Sequence, residues 1–358
     1  MAFASEMLKN DLEVTLIVPG FIGKETMIEF PKEKIVYVYD KNKNIFFFLK
    51  RMYHLFRATR EHYMSNSVLI IEMGFLGGFL ALAGFSNFIV DFHGLYFDEL
   101  KHMDFRWYFP KRLYITLIYF LERTAAKKCK KIITVSNSMS KFLIDTWKIS
   151  PDKIMLIPNG YFLDKVKIIE KNTTNETKGM VTFIGRLERW ANVDKIIHAA
   201  NLLRGAELKF YIVGDGPAEY IKSLRKLVYE YKLTNVVFTG SLPLFEAYDM
   251  IKISQILLLP FPKLLCTEVS CPIKVLEYMS FGKAMVLDNV SDISKLLGEK
   301  NAALVSNPEN EVDFAENILI LIKNQDLRCQ IGISAKKMSQ NYDWNIQTKK
   351  LIDLIADS

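Results

Sequence analysis

Short β-branched apolar runs alternate with helical patterns along the whole chain, which predicts parallel sheets joined by crossover helices. In the first half the strands read as EVTLIVPG (13–20), KIVYVYD (34–40), SVLIIEM (67–73), NFIVDFHG (87–94), KIITVS (131–136) and KIMLIPNG (153–160). The second half restarts the alternation with MVTFIGR, LKFYIVGDG, NVVFTG, QILLLPF and AMVLD, with a helical pattern between successive runs. Between the halves a polar stretch breaks the pattern. The expected division is an N-terminal domain over 1–163, a linker over 164–178, a C-terminal domain over 179–342, and a final helix over 343–358 that returns toward the first domain. The fold class is α/β with two Rossmann-like domains, and 358 residues suit two domains of ordinary size. Ligands of such sheets bind at the carboxyl ends of the strands, so the residues just after each strand are the functional candidates.

The opening departs from a complete doubly wound unit. A helical piece, FASEMLKN, comes before any strand. The helix that should follow a first strand is therefore already placed, and the N-terminal sheet is expected to lack that strand and its turn. The most apolar window, Gly74 to Val90, is too short and too rich in glycine to span a bilayer, and reads as a buried helix followed by a buried strand.

Composition narrows the setting. Cys129, Cys266, Cys271 and Cys329 follow no regular spacing and have no histidine pair at zinc-ligand intervals, so a reduced, cytoplasmic protein is the expectation. Glu6 and Asp11 stand where a secretory leader would need apolar residues. The net charge of +7 is concentrated early, with about 23 basic against about 17 acidic side chains up to residue 165. Clustering is sharpest over 41–63, where Lys41, Lys43, Lys50, Arg51, Arg57 and Arg60 interleave with Phe46, Phe47, Phe48, Tyr53 and Phe56. That is the composition of a helix on an anionic membrane surface, and equally of an ordinary helix with an aromatic core face and a solvated basic face. Nothing in the chain matches a nucleic-acid-binding motif, so nucleic acid is not an expected partner.

The most informative stretch is TEVSCPIKVLEYMSFGKAMV, residues 267–286. Pro272 suits the first turn of a helix, whose exposed N–H groups and positive dipole end favour an anion such as a diphosphate. Glu277 follows along that helix, where a carboxylate can accept from two sugar hydroxyls. Taken as bare spacing, the same residues describe a surface helix with a proline start, a solvated glutamate and a glycine stop at Gly282.

Six segments in order change that weighting, and together they resemble the family-four retaining glycosyltransferases of the GT-B fold. CPIKVLEYMSFGKAMV is similar to the family's Ser-Pro-x-Lys-x-x-Glu-Tyr-Met-Ala-x-Gly-Lys-Pro stretch, FIGRLERWANVDKIIHAA to its Gly-Arg-Leu segment, and YIVGDGPAEY to its Val-Gly-Asp-Gly-Pro turn. DFHG, ITVSNSM and IPNG match landmarks of the N-terminal domain. The resemblance implies two facing Rossmann-like domains with the sugar-nucleotide donor held by the C-terminal one. It makes Glu277 the ribose-binding glutamate and Arg186, after Gly185, the arginine facing the donor diphosphate. Gly214, Gly216 and Pro217 become the turn beside the base. Cys271, Pro272 and Lys274 belong to the donor-binding helix start, and His93 faces the transferred sugar. Asn159 matches a recurrent position with a weaker role. A guanidinium suits the diphosphate role because it offers a planar fork and keeps its charge.

Three departures stand beside these matches. Ala191 occupies the place of a lysine that helps neutralise the diphosphate, with Asn192 where glycine is common, so that Arg189 or Lys274 would have to compensate. Val269 occupies the place of a second glutamate, which Glu268 misses by one position. The third is the absent first strand. The expected function is transfer of a hexose, with retention, from a nucleoside-diphosphate sugar to a hydroxyl of a lipid-linked or cell-surface glycan. Metal is not implied, since no Asp-x-Asp pair lies beside the motifs. The expected location is the cytoplasm, peripheral on the inner face of the membrane. The alternative is a non-catalytic sugar-nucleotide-binding or partner subunit.

Overall fold

The computed structural model describes residues 2–10, 12–18, 31, 35–37, 45–63, 67–103, 110–170 and 175–356, without the side chains of 2, 18, 37, 45–49, 51 and 170. Met1–Asp98, Arg106–Pro158 and Trp344–Ser358 form one compact unit, and Glu99–Phe105 with Asn159–Asp343 form the other.

Among the described residues the second unit has six parallel strands, β7 (Met180–Ile184), β8 (Lys209–Val213), β9 (Val236–Gly240), β10 (Ile256–Leu259), β11 (Ala284–Asp288) and β12 (Leu304–Ser306), after six in the first unit. Their order is β12-β11-β10-β7-β8-β9, which is a complete doubly wound sheet entered at its centre. Strands β7, β10 and β11 are buried at every position. Helices cover both faces of such a sheet, which is why these strands read as continuous apolar runs. Strand β12 was not expected from the sequence, because LVS is three residues long and two of them are half-buried.

The first unit holds β1 (Leu16–Val18), β2 (Ile35–Tyr37), β3 (Leu69–Ile71), β4 (Phe88–Phe92), β5 (Lys131–Thr134) and β6 (Ile154–Leu156). Strands β3 to β6 form one parallel sheet in sequence order, and β1 pairs only with β2 in a separate parallel pair. Among the described residues no strand pairs with both β1 and β3, the place of the first strand in a full doubly wound unit. The apolar window resolves as helix Gly74–Leu82 followed by β4. Helix Ala2–Lys9 packs on Trp344–Ala356 through an edge contact of Phe3 and Trp344, with ring centroids 5.0 Å apart. Ser136, from ITVSNSM, caps helix Asn137–Trp147 by accepting from the Met139 N–H at 3.0 Å.

One stretch differs from the sequence reading. The expected linker, 164–178, begins as helix Leu163–Glu170, whose Val166 and Ile169 are buried and whose Ile169 carbonyl accepts from Lys252 at 2.8 Å. Charged neighbours hide those two apolar positions in the sequence. The basic segment 41–63 contains helix Ile45–His62, with Met52, Leu55 and Ala58 buried and Arg57 paired to Glu61 at 2.6 Å. Lys41, Lys43 and the side chains of Phe46, Phe47, Phe48 and Arg51 lie outside the described residues. Among the described residues no helix is long and apolar enough to cross a membrane.

Candidate active site

The site residues of the second unit gather at the carboxyl ends of its strands. Strand β7 runs straight into Gly185, Arg186 and Leu187, and this segment lies flat against the loop after β8. Leu187 N–H donates to the Asp215 carbonyl at 2.9 Å, and Gly185 N–H to that of Val213 at 3.0 Å. The spacing is so close that a Cβ on Gly214 would sit 1.8 Å from the Gly185 oxygen, and one on Gly216 would sit 1.9 Å from that of Leu187. Gly214 also has φ +144°. The two glycines are thus required by the chain's own backbone, a reason independent of any nucleotide.

Arg186 projects outward, 62% exposed, while its Nε donates to Glu188 Oε1 at 2.9 Å. Glu188 is 1% exposed, and its Oε2 has no hydrogen-bond partner among the described residues. The buried carboxylate fixes one edge of the exposed guanidinium. Sequence reasoning missed Glu188, which reads as one more surface charge after a strand.

Helix Ile273–Ser280 starts at Pro272 and carries the glutamate. Glu277 is buried, and both oxygens are held: the Tyr248 hydroxyl donates to Oε1 at 3.0 Å and Lys274 Nζ to Oε2 at 3.0 Å. Burial pushes the Tyr248 hydroxyl well above its usual range, with the Glu277 charge adding to the shift. It stays a donor. One residue on, the Tyr278 hydroxyl accepts from Ile184 N–H at 3.1 Å, at the end of β7 just before Gly185. The helix bearing Lys274 and Glu277 is therefore tied to the strand end bearing Arg186. Asn159 donates to the Cys271 carbonyl at 2.7 Å, steadying the turn into this helix. Cys271 itself is buried, and its thiol is pushed up to about 12 by that burial, so it offers its backbone to the site and not its sulfur.

The departures also find places. Ala191 and Val269 are both buried at 1%. Asn192 takes the left-handed conformation, φ 51°, that glycine usually supplies. Arg189 stacks over the Tyr220 ring, 5.3 Å from its centroid, so Lys274 is the cation beside Glu277. A lysine does stand one helical turn after Ala191, but Lys195 is buried and pairs with Asp288 at 2.7 Å, also donating to the Asn307 and Pro308 carbonyls at 3.1 Å each. It locks the ends of β11 and β12 together. On the same edge, Lys263, Glu268, Asn289, Lys295, Asn307 and Glu309 line a cavity of about 290 Å³.

His93 belongs to the first unit, just beyond β4. Its Nε2 lies 3.1 Å from Oδ2 of Asp91, which is fully buried. The imidazole thus sits beside a buried carboxylate at the strand's carboxyl end.

Comparison with known proteins gives this geometry a family. The profile described as Glycosyl transferases group 1 matches residues 164–338, and the one described as Glycosyltransferase Family 4 matches residues 1–165. An uncharacterised glycosyltransferase of Methanocaldococcus jannaschii is 24% identical over 244 residues, 65% of this chain and 61% of the relative, so the chain spans about six tenths of that relative's length. The UDP-Gal:alpha-D-GlcNAc-diphosphoundecaprenol alpha-1,3-galactosyltransferase of Escherichia coli is 26% identical over 309 residues, 80% of this chain and 72% of the relative. The crystal structure of Anabaena HepE in complex with UDP-glucose shares the fold, with a TM-score of 0.76 at 14% identity over 100% of this chain and 94% of that one. With the two profiles together running from residue 1 to residue 338, the chain belongs to the family-four-like glycosyltransferases of the GT-B fold.

Proposed function

We propose that this glycosyltransferase moves a hexose, with retention of anomeric configuration, from a nucleoside-diphosphate sugar to a hydroxyl of a lipid-linked or cell-surface glycan at the inner face of the membrane. The observation that carries the reading is the buried Glu277, held at both oxygens on a helix that Tyr278 ties to the strand end bearing Arg186. A carboxylate oriented in this way suits a ribose diol, since the hydroxyl and the ammonium that hold it leave lone pairs unused. UDP is the donor nucleotide to test first, because the E. coli relative's name contains UDP-Gal and the Anabaena structure holds UDP-glucose.

Breaking the anomeric carbon–oxygen bond places negative charge on the departing diphosphate. Arg186, Lys274 and the amides that open the Pro272 helix are preorganised to receive it, and stabilisation of that developing charge is the main contribution of the protein. Glu188 keeps the arginine aimed. His93, beside Asp91, is assigned to the transferred sugar. We assign no metal to the reaction, so turnover is expected to continue in excess EDTA. The direct test is incubation of the pure protein with labelled UDP-hexoses, alone and with a diphosphopolyprenyl-linked sugar, followed by separation of UDP, free hexose and product.

A second reading has its own support. Ala191 and Val269 put buried methyl and isopropyl groups where the family carries a lysine and a glutamate. A partner subunit that binds the nucleotide sugar without turning it over would bind UDP and release no hexose in that assay.

A further inference from the structure

The cavity of about 290 Å³ in the second unit lies at the carboxyl ends of β10, β11 and β12. Lys263 and Glu268 reach it from the segment after β10, Asn289 from the end of β11, Lys295 from helix Asp292–Glu299, and Asn307 and Glu309 from the loop after β12. Arg186 follows β7, so in the strand order β12-β11-β10-β7 the cavity extends from β10 away from the donor arginine. None of the residues assigned to the donor lines it.

The wall after β12 is held in place by the fold. Lys195, 2% exposed, donates to the Asn307 and Pro308 carbonyls at 3.1 Å each. The Asn307 N–H donates to Asp313 at 2.7 Å, and the Glu309 N–H to Asn307 Oδ1 at 3.0 Å. Next to that wall the Asn289 N–H donates to the Ser306 carbonyl at 2.9 Å. The charged side chains are not used in this way. Lys263, Glu268, Lys295 and Glu309 make no side-chain hydrogen bond or ion pair among the described residues. Two ammoniums and two carboxylates thus share one hollow without pairing, although opposite charges attract.

We propose that this cavity binds a neutral sugar residue of a glycan. A phosphate or other simple anion placed there meets two carboxylates, and a metal ion or amine meets two ammoniums. A sugar ring meets neither penalty, because each hydroxyl both donates and accepts. It donates to Glu268 and Glu309 and accepts from Lys263 and Lys295, while the Asn289 carboxamide serves in either sense. The volume stands at the lower end of the ~300–1,000 Å³ usual for ligand pockets, which suits a single ring. Glu268 belongs to the segment that leads into the Pro272 helix, so the bound ring lies beside the loop that also serves the donor. The sugar class follows from the charge pattern; that the ring belongs to a glycan rests on the proposed glycan transfer.

Saturation-transfer NMR on the full chain tests it, with methyl α-glucoside, methyl α-galactoside and methyl α-N-acetylglucosaminide as probes and UDP in excess. The methyl group stands for the glycosidic bond of a glycan residue, and the corresponding free sugars are run beside them. The wild type is expected to give a saturable signal with at least one methyl glycoside. Lys295→Ala with Glu309→Ala should weaken that binding about tenfold or more, since contacts to charged groups are lost. Asn289→Trp, which fills the hollow from an exposed position, should abolish it. The substituted positions are exposed, so the melting temperature and UDP binding, measured on the same samples, should be unchanged. Wild type that gives no signal with any methyl glycoside overturns the inference, as does either variant if it binds like wild type. Binding of the free sugars alone overturns the assignment to a glycan. Displacement of the glycoside by inorganic phosphate or by alanine overturns it too, in favour of an anion or a zwitterion. So does loss of the signal when UDP-hexose replaces UDP, because the hollow would then belong to the donor's own sugar. Glycoside binding without UDP binding in the wild type counts against the donor site and leaves the sugar site standing.

Discussion

Tyr248 and Glu277 meet inside the C-terminal unit, the phenol donating to Oε1 at 3.0 Å while Lys274 holds Oε2. The pair makes Glu277 a fixed acceptor instead of a solvated side chain. Tyr248→Phe keeps the ring contact with Phe281, whose centroid lies 5.4 Å away, and removes only the hydroxyl. A hydrogen bond to a charged group contributes about 1.5–3 kcal/mol, so KM for the UDP-sugar should rise by about tenfold or more. An unchanged KM would show that Tyr248 does not position the glutamate.

Arg186 and Glu188 should behave as one device. Glu188→Gln still offers an oxygen to the Arg186 Nε and should stay near wild type in UDP affinity. Glu188→Leu frees the arginine and should weaken binding by about tenfold, while Arg186→Ala should weaken it at least as much. Added to Arg186→Ala, the leucine should cost little more, because the two positions act through one contact. Additive losses by calorimetry would contradict the coupling.

Gly214→Ala is expected to destabilise the protein, since its Cβ would overlap the Gly185 carbonyl and φ is +144°. Gly216→Ala, facing the Leu187 carbonyl at 1.9 Å, should do the same. The cost is of order 1–3 kcal/mol each, visible as a lower urea midpoint without UDP. A loss confined to nucleotide binding, with stability intact, would assign these glycines to the ligand instead.

Strands β7, β10 and β11 were legible because they are buried at every position and appear as unbroken apolar runs. Helix Leu163–Glu170 was not, because Val166 and Ile169 are two apolar positions among charged ones. Arg186, Lys274 and Glu277 were named through the family resemblance of their segments, since bare spacing left the Glu277 stretch reading as a surface helix. Their supporting residues were hidden. Glu188, Lys195 and Asp288 look like solvated charges in one dimension, and only the fold shows that all three are buried. The position of Lys195, inside a run whose neighbours Ile196, Ile197, Ala199 and Ala200 are all core, is the one signal that could have singled it out.

The Lys195–Asp288 pair carries a pH signature. Burial pushes the Asp288 carboxyl up to about 7, with Lys195 opposing the shift. The folded state then holds a proton that the unfolded chain, with a carboxyl near 4, gives up. The associated stability is full below about pH 4 and is lost as pH rises through about 7. Asp288→Asn should flatten the fall in stability between those limits relative to wild type, measured by urea unfolding across the range. Identical slopes in the two proteins would refute the shift.

The central claim is that Glu277 and Arg186 of the C-terminal unit hold a nucleotide-sugar donor for retaining transfer. The most direct measurement is release of UDP from labelled UDP-hexose by wild type, Glu277→Ala and Arg186→Ala, with the anomeric configuration of the product read by NMR. The account predicts a retained product from the wild type, and turnover lowered by an order of magnitude or more in each folded variant. Unchanged turnover in both variants, or an inverted product, would contradict it.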